Sequence, residues 1–394
     1  PSTRAPARLA SPNEAAGGIA PRPAPAFRGG QDSAPRAEEQ VPRALPVGLH
    51  GLLSRFGRAR ILVVGDLMLD EFIWGKVSRI SPEAPVPVVW VQSESLMPGG
   101  AANVANNLRA LGGQVTVAGV VGEDRWGELL LRELAARRID TGGVITINRP
   151  TTVKTRVIAH HQQVVRVDRE HKAPLSPTLI ARISRVVREQ MDRVDAVIIE
   201  DYGKGIITRT LLEEVLPAAR RRRKIVTVDP KEEHFDLYRG VTAITPNRVE
   251  AGGALGRELE DDADLEWAGR ELLRRLDCES VLLTLGEDGM RLFERAGRRT
   301  HIPTVAQEVF DVAGAGDTVI AAFTLALASG ATKVEAAQVA NHAAGIVVGK
   351  VGVAVVTPAE LRAQLTSGAR PAHPTARPAR SPAPWPARQR AGRI

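Results

Sequence analysis

The sequence predicts an α/β fold: a doubly wound, mostly parallel sheet with helices on both faces and a small β lid. Three observations carry this reading. Short apolar runs stop abruptly at Gly, Asp or Pro, as strands buried on both faces do. Amphipathic helical stretches separate those runs. Two β-branched stretches then break the rhythm, with no helix between their halves.

The first run, Ile61-Leu-Val-Val64, ends at Gly65-Asp66, and the segments 194–199, 224–228, 241–245 and 280–284 have the same character. Helices are predicted near 177–192, 209–223, 265–276 and 333–348. In a sheet wound this way, ligands sit beyond the carboxyl ends of the strands. The segments 72–91 and 151–168 suit a small accessory sheet. Laid over the strand ends, it would be a lid that keeps water from the site.

Of 394 residues, 43% are apolar and 25% charged, enough for a sizeable core. No apolar run reaches the roughly 18 residues of a membrane helix. The first residues lack the apolar stretch of a secretory signal, so a cytoplasmic location is expected. The one cysteine, Cys278, excludes an internal disulfide and reads as a buried, inert thiol in a reducing compartment.

The net charge of +8 suggests nucleic acid until it is located. Residues 1–48 hold six Arg and four acids, and residues 367–394 hold six Arg and no acid. These Pro/Ala/Arg-rich tails carry the whole excess and are expected to be disordered, flanking one folded domain over 49–366. The body is formally neutral, which argues against a nucleic-acid face.

A Walker-type loop, zinc spacings and a GxSxG elbow are all absent. The sharpest segment is Val309-Phe-Asp-Val-Ala-Gly-Ala-Gly-Asp-Thr318, leading into an apolar helical run. Gly314, Ala315 and Gly316 before a helix leave amides free to hold an anion. Asp317 at that place is suited to take a proton from an attacking hydroxyl, or it is an ordinary N-cap. Gly99 and Gly100 open a second helix entry, where Asn103 either meets sugar hydroxyls or the glycines serve close packing. Asp66 and Asp70 follow the first strand, placed for polyol hydroxyls or for turn chemistry. Asn247 and Glu250, at i and i+3, would either hold a magnesium ion or form a capping box. Lys231 and Lys204 are phosphate contacts or solvated charges. Thr284, Gly286 and Gly289 read first as a hairpin turn and second as a nucleotide contact.

In this order, Gly65-Asp66, Gly99-Gly100…Asn103, Asn247…Glu250 and Gly314-Ala-Gly-Asp317 resemble the signature of the ribokinase (PfkB-type) carbohydrate kinases. Ser78-Arg-Ile-Ser-Pro-Glu-Ala-Pro-Val-Pro-Val-Val89, Gln162-Gln163…Arg166-Val-Asp168 and Asp201-Tyr-Gly-Lys-Gly205 are similar to the D-glycero-D-manno-heptose-7-phosphate kinases. The resemblance covers about 50–366 and implies a lidded fold, a homodimer through the lid, and ATP with magnesium as cofactors. It leaves room for a monovalent cation. The implied reaction moves the ATP γ-phosphoryl to the anomeric hydroxyl of a heptose phosphate, toward activated heptose for surface polysaccharide. Asp317 would be the base and Gly314–Gly316 the anion hole. Asn247, Arg248, Val249 and Glu250 would lie at the nucleotide phosphates and magnesium, with Lys231, Thr284, Gly286, Gly289 and Asn341 completing that site. Asp66, Asp70, Gly99, Gly100 and Asn103 would line the sugar, with Lys204 near a substrate phosphate.

Two features depart from the family. Ala313 stands where Thr is usual, removing a hydroxyl but not the backbone cradle. No HxGH motif of a nucleotidyl-transferring domain follows, so a monofunctional kinase is expected. Among alternatives, a dinucleotide oxidoreductase needs GxGxxG after the first strand and finds Gly65-Asp66-Leu-Met-Leu-Asp70. A kinase for fructose, ribose or a nucleoside, and a non-catalytic sugar-binding relative, remain as other readings.

Overall fold

The computed structural model describes residues 39–40, 49–160, 162–171, 173–306 and 308–367. The two predicted tails lie outside these residues except for Glu39–Gln40 and Ser367. In chain order the elements are β1 (Glu39–Gln40), α1 (Leu49–Leu53), β2 (Arg60–Gly65), β3 (Leu67–Ile80), β4 (Pro87–Gly100), α2 (Ala101–Ala110), β5 (Gln114–Gly122), α3 (Arg125–Ala136) and β6 (Asp140–Ile147). Then come β7 (Thr152–Ala159), β8 (Gln162–Arg169), α4 (Pro177–Gln190), β9 (Ala196–Glu200), α5 (Arg209–Arg221), β10 (Ile225–Asp229), β11 (Ala243–Ile244), α6 (Arg248–Leu255) and α7 (Asp262–Leu276). The last are β12 (Ser280–Thr284), β13 (Met290–Glu294), β14 (Arg299–Ile302), α8 (Ala315–Ala328), α9 (Lys333–Val347) and α10 (Pro358–Ser367).

Alternate residues of the central strands bury against opposite layers, which is why those strands read as unbroken apolar runs. Ile61 and Val63 of β2 join a cluster with Leu108, Phe323 and Val339 from α2, α8 and α9. Leu62 and Val64 join another with Ile183, Leu211 and Leu272 from α4, α5 and α7. The sheet order is β1-β14-β13-β12-β11-β10-β9-β2-β5-β6. It is parallel from β6 to β12, and antiparallel between β12 and β13 and between β13 and β14. The chain runs outward from β2 to β6, returns to β9, and then runs outward the other way. The winding therefore reverses between β2 and β9, whose carboxyl ends are Gly65 and Glu200.

The lid is a separate four-stranded sheet, ordered β4-β3-β7-β8. Its boundaries correct the sequence reading. Only Asp66 separates β2 from β3, and residues 67–72 are buried where lid meets core, so the lid begins five residues before position 72. The stretch 72–91 falls on two lid strands, which turn through 81–86 where prolines remove amide donors. Gly99 and Gly100 end β4 and lead straight into α2, whose N-cap is Gly100, as the expected helix entry. The predicted strand 241–245 shortens to Ala243–Ile244, with Pro246 close behind. The hairpin read at 286–289 is present, pairing Thr284 with Met290. Among the described residues, no helix is long and apolar enough to cross a membrane.

Cys278 is fully buried, and burial pushes its thiol up to about 12. A thiol so held is inert. The folded protein is therefore expected to stay unlabelled by a neutral thiol reagent near pH 8, and to label fully in denaturant; prompt labelling of native protein would contradict this burial.

Candidate active site

The site forms where the winding reverses, at the N-terminus of α8. Gly314, with φ of 76°, is the residue before the helix, in the left-handed region that favours glycine. A Cβ there would fall 2.9 Å from Asn103 Nδ2. Asp317 is thus the third residue of α8 and not its N-cap, which removes the ordinary capping explanation for it. Its carboxylate is buried, with Oδ2 accepting from Asn103 Nδ2 at 2.6 Å and Oδ1 accepting from the Tyr202 hydroxyl at 2.9 Å. Burial raises its proton affinity, and the two donors oppose that rise. Such a carboxylate can accept a proton from a hydroxyl brought against it.

Two side chains one turn apart on α2 join that helix to α8. Asn103 grips Asp317, while Asn107 Oδ1 accepts from Thr318 Oγ1 at 2.9 Å and its Nδ2 donates to the Asn103 carbonyl at 3.0 Å. The glycines before α2 let the end of β4 lie close against residues 66–70: a Cβ on Gly99 would collide with Asp70 Oδ2, and one on Gly100 would fall 2.6 Å from the Asp66 carbonyl. Of the predicted anion-hole amides, Ala315 donates to Val312 O at 3.2 Å, which leaves the cradle to Gly314 and Gly316, with Asp317 beside them. The Ala313 amide donates to Asp311 Oδ1 at 2.9 Å, and Asp311 Oδ2 also accepts from Gly352, so the loop keeps its shape without a Thr hydroxyl.

Asp66 faces the loop 201–206. Its oxygens accept the amides of Tyr202 and Lys204, both at 3.0 Å, and of Ile206 at 3.3 Å. Asp201 braces the same loop from behind, accepting from Gly203 N–H and the Tyr238 hydroxyl, with His234 Nδ1 2.6 Å away. Asp66 therefore sets the position of Tyr202. Asp70 pairs with Arg156 across the lid, and Lys204 Nζ lies 2.5 Å from Glu170 Oε2.

Glu200 and Asp229 end β9 and β10 as direct register partners. With Asp317 they bring carboxylate oxygens within 4.8 Å of one another. Both Glu200 oxygens are buried with no donor to them among the described residues, so Glu200 and Asp229 can hydrogen-bond only when one of the two holds a proton. Burial, and then neighbouring carboxylates, drive Glu200 and Asp229 well above the usual acid range. This donor set fits a hard divalent cation, which would compensate the clustered charge. The Asn247–Glu250 pair is instead a complete capping box: Asn247 Oδ1 accepts the Glu250 amide and Glu250 Oε2 the Asn247 amide, each at 2.9 Å. Those two oxygens are thus committed to the helix start. Thr284 bridges to Asn247, and Lys231 and Asp229 both act on or with the Glu250 charge, so these residues do gather together. Arg248 pairs with Asp288 and ties the 286–289 turn to α6, Val249 is exposed, and Asn341 donates to the Pro303 carbonyl at 2.8 Å.

The pfkB family carbohydrate kinase model matches residues 58–360. The chain belongs to that family. It is 49% identical over 314 residues to the "Bifunctional protein HldE" of Desulfatibacillum aliphaticivorans, covering 79% of this chain and 64% of that protein. The protein of the same name from Geobacter metallireducens is 50% identical over 312 residues, covering 78% and 64%. The chain thus spans under two thirds of these relatives' length. Among solved structures it resembles Escherichia coli phosphofructokinase-2 in complex with substrates and products (TM-score 0.67, 20% identity, 79% of this chain and 100% of that one). It also resembles Arabidopsis thaliana ribokinase complexed with ribose and ATP (TM-score 0.63, 20% identity, 78% and 99%). These likenesses support the ribokinase-like fold.

Tyr202, Glu200, Asp229 and Asn107 of this kinase were not singled out from the sequence. The rule that ligands lie beyond strand carboxyl ends could have found the first three, since Glu200 and Asp229 directly follow predicted strands and Tyr202 lies two residues beyond Glu200. Asn107 gives no local signal.

Asp66 yields a pH prediction. Burial lifts its carboxyl from 3.8 to about 6 despite three amide donors. Because the folded pKa is raised, Asp66 adds stability below the unfolded pKa and loses it as pH rises through about 6. Relative to Asp66→Asn, the wild type should lose roughly 2 kcal/mol between about pH 4 and 7 in denaturant titrations. A pH-independent difference would contradict the raised value.

Proposed function

We propose that this kinase transfers the γ-phosphoryl group of ATP to the anomeric hydroxyl of D-glycero-D-manno-heptose 7-phosphate, giving heptose 1,7-bisphosphate and ADP. The observation that carries the reading is Asp317, buried in the first turn of α8 and held by Asn103 and Tyr202. The hydroxyl gives its proton to the Asp317 carboxylate while its oxygen bonds to the γ-phosphorus, and the bond to the ADP oxygen breaks. Negative charge spreads over the phosphoryl oxygens, and the amides of Gly314, Gly316 and Asp317, with the α8 dipole, face it. Glu200 and Asp229, with Glu250 beside them, would hold the magnesium ion. Bound there, magnesium would offset the phosphate charge. Asn247, Thr284, Lys231 and the 286–289 turn are the nucleotide side of this reading. Asp66, Asp70, Gly99, Gly100 and Asn103 are its sugar side, with Asp66 acting through the Tyr202 loop.

The heptose assignment rests on the string 78–89, which makes up the tip of the β3–β4 hairpin. A simple sugar as substrate remains the second reading, since the base and cradle suit any primed hydroxyl. The lid also supports a homodimer. Strand β8 is exposed along its whole length, and Trp90, Val91, Val165 and Val167 place apolar surface on the lid's two edge strands.

Asp317→Asn should lower kcat by roughly 10²–10⁴ with nucleotide affinity little changed; near wild-type turnover would remove Asp317 from the mechanism. In the same assay, equal or better turnover of fructose or ribose would overturn the heptose assignment. Trp90→Glu with Val165→Glu should shift sedimentation from dimer to monomer, and a wild type already monomeric at high concentration would end the dimer reading.

A further inference from the structure

Three cations meet where the lid overhangs the base, and two are neutralised. Arg156 is paired with Asp70 and Lys204 with Glu170. The third is Lys154 on β7. Its side chain is half-buried, and its ammonium stands 5.2 Å from the centre of the Tyr202 ring. Among the described residues no carboxylate lies within ion-pair distance of it and no acceptor takes a hydrogen bond from it. Burial pulls its pKa below the ordinary lysine value, Lys204 and Arg156 push the same way, and Asp70 and Asp168 oppose them. Contact with a tyrosine face offsets part of that cost but leaves all three N–H donors unused.

The ring beneath Lys154 is also the ring whose hydroxyl holds Asp317. The Lys154 charge also acts on Asp317, so a ligand with one hydroxyl at the base has this ammonium within reach. Lys204, the residue expected from the sequence to meet a phosphate, has its ammonium committed to Glu170 and its amide to Asp66. Lys231, on the nucleotide side, acts on Glu250 instead. We propose that Lys154 receives the phosphomonoester of the sugar substrate, so that the site selects sugars carrying a phosphate at the end remote from the reacting hydroxyl. This rests on the kinase reading with Asp317 as base.

The test measures binding by calorimetry without nucleotide, using heptose 7-phosphate, fructose 6-phosphate and ribose 5-phosphate, each beside its unphosphorylated sugar. Wild type should prefer the phosphorylated member of its best pair. Lys154→Met should weaken that member by about 10- to 100-fold, as loss of a charged hydrogen bond does, while leaving the bare sugar and ATP unchanged. Lys154→Arg should restore part of the loss. The proposal is overturned if Lys154→Met keeps the phosphate preference, weakens sugar and sugar phosphate alike, or weakens ATP instead. It is also overturned if wild type shows no preference for phosphorylated sugars. A preference for fructose 6-phosphate that Lys154→Met abolishes would uphold Lys154 and defeat the heptose assignment. Undiminished turnover by Asp317→Asn would defeat the base alone.

Discussion

A carboxylate shut away from water must take its hydrogen bonds from protein donors, and Asp317 takes them from two elements that the sheet holds apart. Asn103 arrives on α2, which follows the lid strand β4, and Tyr202 arrives on the loop after β9. Neither donor is local in sequence. Both are in place only when β2 and β9 are paired and α2 packs on α8, so the grip on Asp317 exists only in the completed fold. In a low-dielectric site such a network is worth most when fully satisfied and costs most when half-made.

That dependence runs outward through Asp66. This residue alone separates the core strand β2 from the lid strand β3, and it gathers three amides of the loop that carries Tyr202. Movement of the lid hairpin is therefore mechanically connected to the donor on the base. Asp70, five residues into that arrangement, locks β3 to β7 through Arg156, and the next inward-facing cation on β7 is Lys154. The stretch from Asp66 to Asp70 thus links the loop that grips the base to the lid strand that carries Lys154.

The sheet and its helices were legible because strands buried on both faces must be apolar throughout, as Ile61–Val64 and Val281–Leu283 are. Asp317 and its glycines were legible because a left-handed residue before a helix admits few alternatives to glycine. What escaped was whatever depends on pairing across the sheet. Leu67–Phe72 looks like a loop after a strand, yet it is a strand because the lid needs a buried root. Asn247 and Glu250 have the spacing of both a metal pair and a capping box, and only coordinates reveal that their oxygens serve the helix start. Lys204 reads as a phosphate ligand from the sequence and Lys154 does not; what separates them is Glu170, whose proximity to Lys204 no local pattern encodes.

The carboxylates around the base also oppose the stability of the fold that builds them. Glu200 and Asp229 lie side by side with their proton affinities driven up by burial first, then by Asp229 and Asp317 on Glu200 and by Glu250 and Asp317 on Asp229. Hydrophobic residues of similar size at these strand ends would serve the core better, since buried charge without compensation is costly. Strain of this kind is tolerated where a ligand relieves it. A cation received between β9 and β10 would displace the protons that burial favours on Glu200 and Asp229, and an anion received at Lys154 would pair an ammonium that has no carboxylate within ion-pair distance among the described residues. The same residues that weaken the empty fold then become those through which ligands tighten it.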